Sequence, residues 1–296
     1  MSSYVLITGA GGGLGRAFAA ECASRGWDLF LTDVSCDVLE PLAQGIERLC
    51  GVRVQTYAAD LTDPDAREQL WQHIERQGMR FHALLNVAGI DYQGPFDERR
   101  VDEVQRILRL NIEATVEMTQ RVLHHRDPAR TLRIVNVCSL AAFYPMPMKA
   151  VYAASKRFLL DWSLALSQEL RGSGVTVTAL CPAGMPSNPA VIRLIDAQGF
   201  MGRATTVNVN DVAAGTIRHA LAGRSLYIPG VLNRILRLAG EAVPPQIVAA
   251  LIDRRWRQSH EKVYGSSRGK VDTTATATIA ADRKSTRLNS SHSSIS

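Results

Sequence analysis

Between residues 4 and 229, short apolar runs alternate with stretches of helical periodicity, and few architectures can absorb that order. Strands are predicted at 4–8, 28–32, 53–57, 83–86, 133–137, 176–180 and 225–228, and amphipathic helices near 14–25, 36–50, 65–77, 98–125, 151–171 and 211–222. A strand joined to a parallel neighbour needs a crossover of roughly a dozen residues or more. That crossover is right-handed, because a right-twisted strand feeding a helix packs back onto its sheet only that way. Residues 1–230 are therefore expected to form one α/β domain. Its core is a doubly wound, mostly parallel seven-stranded sheet with helices on both faces.

After Pro229 the texture changes. Residues 231–238 and 247–256 carry apolar side chains at helical spacing beside Arg234, Arg237, Arg254, Arg255 and Arg257, and Pro244 and Pro245 divide the two. A C-terminal extension of amphipathic helices is expected over 231–264. It either closes a substrate cleft or packs on the domain, or its basic apolar face over 231–257 rests on anionic lipid. From Gly265 a Ser-, Thr-, Ala- and Gly-rich stretch without periodicity predicts a disordered tail over 265–296. Within it, residues 282–292 resemble the conceptual translation of a common sequencing-library adapter oligonucleotide, so 282–296 is set aside.

The net charge of +6 falls to +4 once Asp282, Arg283, Lys284 and Arg287 are removed. No Lys/Arg-rich run is interleaved with aromatics and the seven histidines lack zinc-ligand spacing, so neither a nucleic-acid partner nor a metal is expected. Five cysteines without a C-x-x-C pair fit a reduced cytosol better than a disulfide framework. Cys138 and Cys181 end apolar runs and read as buried thiols. Residues 1–9 lack a basic start, so no signal peptide is expected. No apolar stretch approaches the ~18 residues of a membrane span. The expectation is a cytoplasmic protein, with a membrane surface as an optional contact.

The first predicted strand runs into TGAGGGLG at residues 8–15. Gly9 permits a sharp turn, Gly13 lets backbone approach a pyrophosphate, and Gly15 lets helix and strand pack closely. The helix N-terminus that follows offers unpaired N–H groups and a positive dipole end to phosphates. Asp33 ends the second predicted strand, near where an acidic side chain meets an adenosine ribose. Its carboxylate accepts from ribose hydroxyls and repels a 2′-phosphate, which favours NAD over NADP.

Tyr152 and Lys156 stand four residues apart on a predicted helix and so share a face. A free tyrosine titrates near ~10, and a nearby ammonium stabilises the phenolate and moves the group toward neutral-pH proton exchange. Ser139, at a strand's C-terminal end, is placed to orient a substrate oxygen.

Together TGxxxGxG (8–15), Asp60-Leu61, NVAG (86–89), Asn111, Ser139 and YxxxK (152–156) resemble the short-chain dehydrogenase/reductase superfamily over about residues 4–230. The resemblance implies a Rossmann-fold, NAD(P)-dependent oxidoreductase. It assigns Thr8, Gly9, Gly11, Gly13, Leu14 and Gly15 to the dinucleotide, Asp60 and Leu61 to the adenine pocket, and Asn86, Ala88 and Gly89 to the cofactor cleft. It makes Asn111, Ser139, Tyr152 and Lys156 a catalytic tetrad. In that tetrad Tyr152 and Lys156 also touch the cofactor, and Asn111 holds a water linking Lys156 to solvent. PAGMPS at 182–187 resembles the family's PGxxxT segment, giving Pro182, Gly184 and Ser187 to the nicotinamide. Val87 departs from NNAG, and Ala183 and Ser187 depart from PGxxxT. A homo-oligomer is also implied.

Residues 140–148 (LAAFYPMPM) and about 187–209 are mostly apolar, which favours apolar ketones or secondary alcohols over sugars or acids. Acyl-thioester, steroid-like and simple ketone substrates all remain open. Two other classes compete: a catalytically silent dinucleotide-binding sensor, and a peripheral membrane-interaction protein using residues 231–257.

Overall fold

The computed structural model describes residues 3–185, 205–241 and 243–264. Among the described residues seven strands are formed: β1 (Ser3–Thr8), β2 (Asp28–Asp33), β3 (Val54–Ala58), β4 (Arg80–Asn86), β5 (Leu132–Val137), β6 (Val175–Leu180) and β7 (Leu226–Tyr227). They lie in the order β3-β2-β1-β4-β5-β6-β7, and every pairing is parallel. The crossover helices are α1 (Gly13–Ser24), α2 (Cys36–Cys50), α3 (Pro64–Arg76), α4 (Val101–Leu108), α5 (Thr115–His124), α6 (Ala150–Glu169) and α7 (Val209–Leu221). The chain reverses its winding between β1 and β4, so a crevice opens beyond the C-terminal ends of these two strands.

Strands covered on both faces need apolar side chains in both directions, and the central strands supply them. Val5, Ile7, Leu29 and Leu31 pack with Phe18, Leu39 and Ile217 under α1, α2 and α7. Leu6, Phe30, Leu84 and Ile134 pack with Leu70, Trp71, Met118 and Val122 under α3 and α5. Each such fully buried side chain contributes roughly 1.5–3 kcal/mol of transfer free energy. Helix starts follow local chemistry: Asp63 accepts from the Asp65 amide at 3.0 Å with Pro64 next in line, and Asn208 accepts from Asn210 at 2.8 Å.

Three features differ from the sequence expectation. β4 begins at Arg80, earlier than predicted, because His82 breaks the apolar run yet is buried. Its ring meets Ser3 Oγ at 3.1 Å and lies edge-on to Trp27. β7 is shorter than predicted, with only Leu226 and Tyr227 paired. The helix expected over 98–125 is α4 and α5 joined by a π-helical turn at Arg109–Ala114. That turn matters, because π-bulges shift side chains out of the regular helical register and recur at functional sites.

Arg67, buried on α3, donates to Glu117 Oε2 at 2.6 Å and to the Leu61 carbonyl at 2.8 Å, and also pairs with Glu113. It fastens the segment after β3 to α5. The C-terminal helices α8 (Val231–Glu241) and α9 (Pro245–Tyr264) are present as expected. Asn233 Nδ2 donates to Pro229 O and Thr205 O, Arg234 Nε donates to Ile228 O, and the Arg237 guanidinium lies 4.9 Å from the Phe143 ring centroid. Arg234 and Arg237 therefore tie α8 to the domain instead of forming only an outward basic face. No helix among the described residues is long and apolar enough to cross a membrane. Ser187, most of 187–209 and the tail 265–296 lie outside the described residues.

Candidate active site

The glycine loop is shaped by close approaches of backbone. Gly9 has φ +63°, and a Cβ there would lie 2.8 Å from Ala88 Cα; one on Gly15 would lie 2.1 Å from Gly9 O. Thr8 Oγ1 accepts from the amides of Val87 at 3.0 Å and Ala88 at 3.1 Å, sewing the ends of β1 and β4 together at the switch point. The N-cap of α1 is Gly12, without a side-chain cap, and the first turn holds no acidic residue. Among the described residues the amides of Gly13, Leu14 and Gly15 thus have no side-chain acceptor at a positive dipole end, which fits a pyrophosphate. Asp33 takes the Gly11 amide on Oδ2 and the Val34 amide on Oδ1, both at 2.8 Å. A fixed carboxylate therefore stands at the lip of the loop. Arg16 Nε donates to Gly11 O at 2.7 Å beside it.

Asp60 accepts from Thr62 N and Oγ1, with Arg106 at 3.8 Å from its other oxygen. Leu61 packs in the core cluster of Leu70 and Trp71. Asn86 is buried, and its Nδ2 donates to Thr119 Oγ1 at 3.0 Å and Asn136 Oδ1 at 2.8 Å. Asn136 in turn donates to Ser163 Oγ at 2.9 Å. This buried network joins β4, β5, α5 and α6 beneath the cleft, and its polar atoms would be costly if unpaired. Sequence reasoning missed Thr119, Asn136 and Ser163; a polar residue inside the apolar strand 132–137 was the available signal.

The four predicted tetrad residues are brought together. The π-helical turn presents Asn111, whose Oδ1 accepts from Ile90 N at 2.9 Å and whose Nδ2 donates to Ile90 O and Ser155 Oγ. Ser155 Oγ donates to Tyr152 O at 2.7 Å, so Asn111 braces both the loop after β4 and the turn carrying Tyr152. A Cβ on Gly89 would lie 3.2 Å from Asn111 Oδ1 and 3.3 Å from Lys156 Nζ, leaving little room there for any side chain. Lys156 is buried, donates to Val137 O at 2.7 Å, and has Nζ 5.8 Å from the Tyr152 ring centroid. Ser139 Oγ accepts from Ala141 N at 3.1 Å, and its hydroxyl lies on the Tyr152 side of the site, where it favours the phenolate. Pro182 O accepts from Leu140 N at 2.8 Å, and Gly184 O accepts from Val207 N, which sets the strand ends around the site.

The electrostatics differ from the sequence expectation. Burial pushes the Tyr152 phenol well above its usual range, Asp91 adds to the rise, and the Ser139 hydroxyl opposes it. Burial also lowers the Lys156 ammonium. Lys156 gives its hydrogen bond to a carbonyl, so Ser139 is the group that favours the phenolate here. Cys138 and Cys181 are buried free thiols below, and the Cys181 thiol is pushed up by its hydrogen bond to Cys138 and by burial. Tyr92, Phe96, Ile107, Met148 and Val151 line a hollow beside Tyr152, together with the cationic side chains of Arg99 and Lys149.

The family described as short chain dehydrogenase matches residues 3–193. Mouse (Mus musculus) 17-beta-hydroxysteroid dehydrogenase type 3 is 34% identical over 184 residues, 62% of this chain and 60% of that protein. Very-long-chain 3-oxoacyl-CoA reductase of Mycosarcoma maydis is 31% identical over 195 residues, 65% of this chain and 56% of that one. The alignments thus span about 60% of the length of these curated relatives. A short-chain dehydrogenase from Sphingobium yanoikuyae, solved in complex with NADPH, superposes with TM-score 0.68 at 28% identity, covering 81% of this chain and 93% of that one.

Proposed function

The chain belongs to the short-chain dehydrogenase family, and on that premise we propose that it is an NAD(P)-dependent oxidoreductase interconverting an apolar secondary alcohol and a ketone, or an aldehyde or 3-oxoacyl group. The observation that carries the reading is the Lys156 ammonium 5.8 Å from the Tyr152 ring, with Asn111 and Lys156 converging on Gly89. Lys156 lies in turn against Gly89, whose neighbour Ala88 abuts Gly9 of the glycine loop. The nicotinamide supplies the hydride donor or acceptor. Ser139 orients the substrate oxygen and Tyr152 moves the proton at that oxygen. Lys156 holds positive charge beside the ring, and Asn111 keeps the loop after β4 against α6. A silent sensor would have no use for this convergence of Ser, Tyr and Lys.

NAD is the favoured nucleotide, supported by the carboxylate of Asp33 pinned between the Gly11 and Val34 amides. Thr8 through Gly15 hold the phosphates, Asp60 and Leu61 the adenine side, and Pro182, Gly184 and Ser187 the nicotinamide side. The apolar character of residues 140–148 supports an apolar substrate, as do Phe96, Ile107, Met148 and Val151 beside Tyr152, although Arg99 and Lys149 share that lining. The names of the relatives, a hydroxysteroid dehydrogenase and a 3-oxoacyl-CoA reductase, point to the same substrate class. A homo-oligomer belongs to the proposal on family grounds.

A second reading coexists with the first. Leu232, Ile235, Leu238, Ile247 and Leu251 on α8 and α9 are exposed, and α8 packs on the turn that follows Ser139. Peripheral contact of 231–257 with a lipid surface would place an apolar substrate beside the cleft.

Tyr152→Phe tests the main reading. The variant should bind NAD as the wild type does and lose turnover of an apolar alcohol by about 100-fold or more. Undiminished turnover would remove the proton-transfer assignment.

A further inference from the structure

A second charged pair reaches the Tyr152 ring from outside the tetrad. Asp91, in the loop after β4, is in direct contact with the ammonium of Lys149, the residue preceding α6. Lys149 Nζ stands 5.6 Å from the Tyr152 ring centroid, comparable with the 5.8 Å of Lys156. Both partners are partly shielded, the side chains being 14% and 32% exposed for Lys149 and Asp91, so their field is less screened than that of a surface pair. The backbone holds them in place. Gly94 N donates to Met148 O at 2.8 Å, and Met148 adopts φ +68°, a left-handed conformation that a non-glycine residue seldom holds without a reason.

We propose that Asp91 and Lys149 are positioning residues for the proton transfer: Asp91 holds the Lys149 ammonium against the Tyr152 ring, and the two opposite charges jointly set the field at the phenol. The inference rests on the oxidoreductase reading above. The other groups near Tyr152 are Ser139 and Cys138 at the end of β5, Cys181 at the end of β6, Lys156 one turn along α6, and Tyr92 and Arg99, which line the same hollow, Arg99 being paired with Glu103. Arg237 of α8 acts on Cys181 from the far side. Among these charges, Asp91 opposes the phenolate, and an ammonium beside the ring favours it.

A structural ion pair and a tuning pair predict different pH profiles. The experiment measures kcat/KM for oxidation of an aliphatic secondary alcohol with saturating NAD across pH 6 to 10 (roughly the range in which a tuned phenol titrates). It uses the full chain, Lys149→Met, Asp91→Asn and the double variant. Losing Lys149 leaves Asp91 uncompensated, so the rising inflection should move up by about half to one pH unit. Losing Asp91 removes the negative charge that opposes the phenolate, so it should move down by about as much. These shifts correspond to one charge at ~6 Å in a dielectric of ~40–80. The double variant should return near the wild type, and Lys149→Arg should hold the wild-type inflection even where Lys149→Met folds poorly. Shifts of the same sign in both single variants, or inflections that stay put while only kcat falls, would overturn the inference and leave the oxidoreductase reading standing. Wild-type turnover that survives Tyr152→Phe would overturn both.

Discussion

Gly15→Ala isolates the contact that makes the nucleotide loop possible. The new Cβ would lie 2.1 Å from Gly9 O, 2.9 Å from Gly9 C and 2.8 Å from Ala10 Cα, all main-chain atoms. The turn cannot easily give way, because Ala10 N donates to Thr32 O and Gly12 N to Gly9 O, each at 3.2 Å. Ordinary non-bonded contact is about 3.5 Å, so α1 must retreat by more than about 1 Å from β1. Such overpacking costs about 1–3 kcal/mol, and the upper end applies where only backbone can move. At about 2–4 °C per kcal/mol, the melting midpoint should fall by about 6–12 °C. Gly12→Ala is the control: it adds the same methyl, but that methyl meets only Gly9 O at 3.5 Å, an ordinary contact. It should melt within about 2 °C of the wild type. Thermal melts followed by circular dichroism, with and without NAD, read both variants. A Gly15→Ala midpoint as close to the wild type as that of Gly12→Ala would refute the steric argument.

Removing the charge at the lip of the loop with Asp33→Ser should reduce the NAD-to-NADP ratio of kcat/KM by about tenfold, since one pKa-scale unit of charge repulsion is a factor of ten; an unchanged ratio would show that this carboxylate does not select the cofactor. His82 has its pKa pushed down to about 4 from 6.5 by burial, with Arg130 and Arg133 adding to it. The unfolded chain therefore takes up a proton that the folded one refuses, and stability is lost as pH falls from 6.5 toward about 4, by at most about 3 kcal/mol. Denaturant midpoints of His82→Gln should be flatter than the wild type across that window, and parallel slopes would count against it. Pelleting with anionic vesicles at low salt should carry down the full chain, and Leu238→Glu with Leu251→Glu should release it; a chain that stays in the supernatant assigns α8 and α9 to packing.

Much of this molecule is written in local pattern. Strands such as β1 and β2, buried on both faces, show as uninterrupted apolar runs, and the helices between them leave a parallel sheet as the natural outcome. Tyr152 and Lys156 were legible as partners because a helix puts i and i+4 on one side. Asn111 was visible as a lone polar residue, but the π-helical turn that aims it was not, since one extra residue in a turn barely disturbs a hydrophobic period. Tertiary structure alone decided the rest. Asn86 meets Asn136, and Asp91 meets Lys149, across 50 and 58 residues of chain. Whether the phenol is raised or lowered also depends on what surrounds it: enclosure raises Tyr152, while Lys156 turns to the Val137 carbonyl. Periodicity reports which face of an element is apolar, whereas desolvation and charge act through space on whichever groups the folded chain brings near.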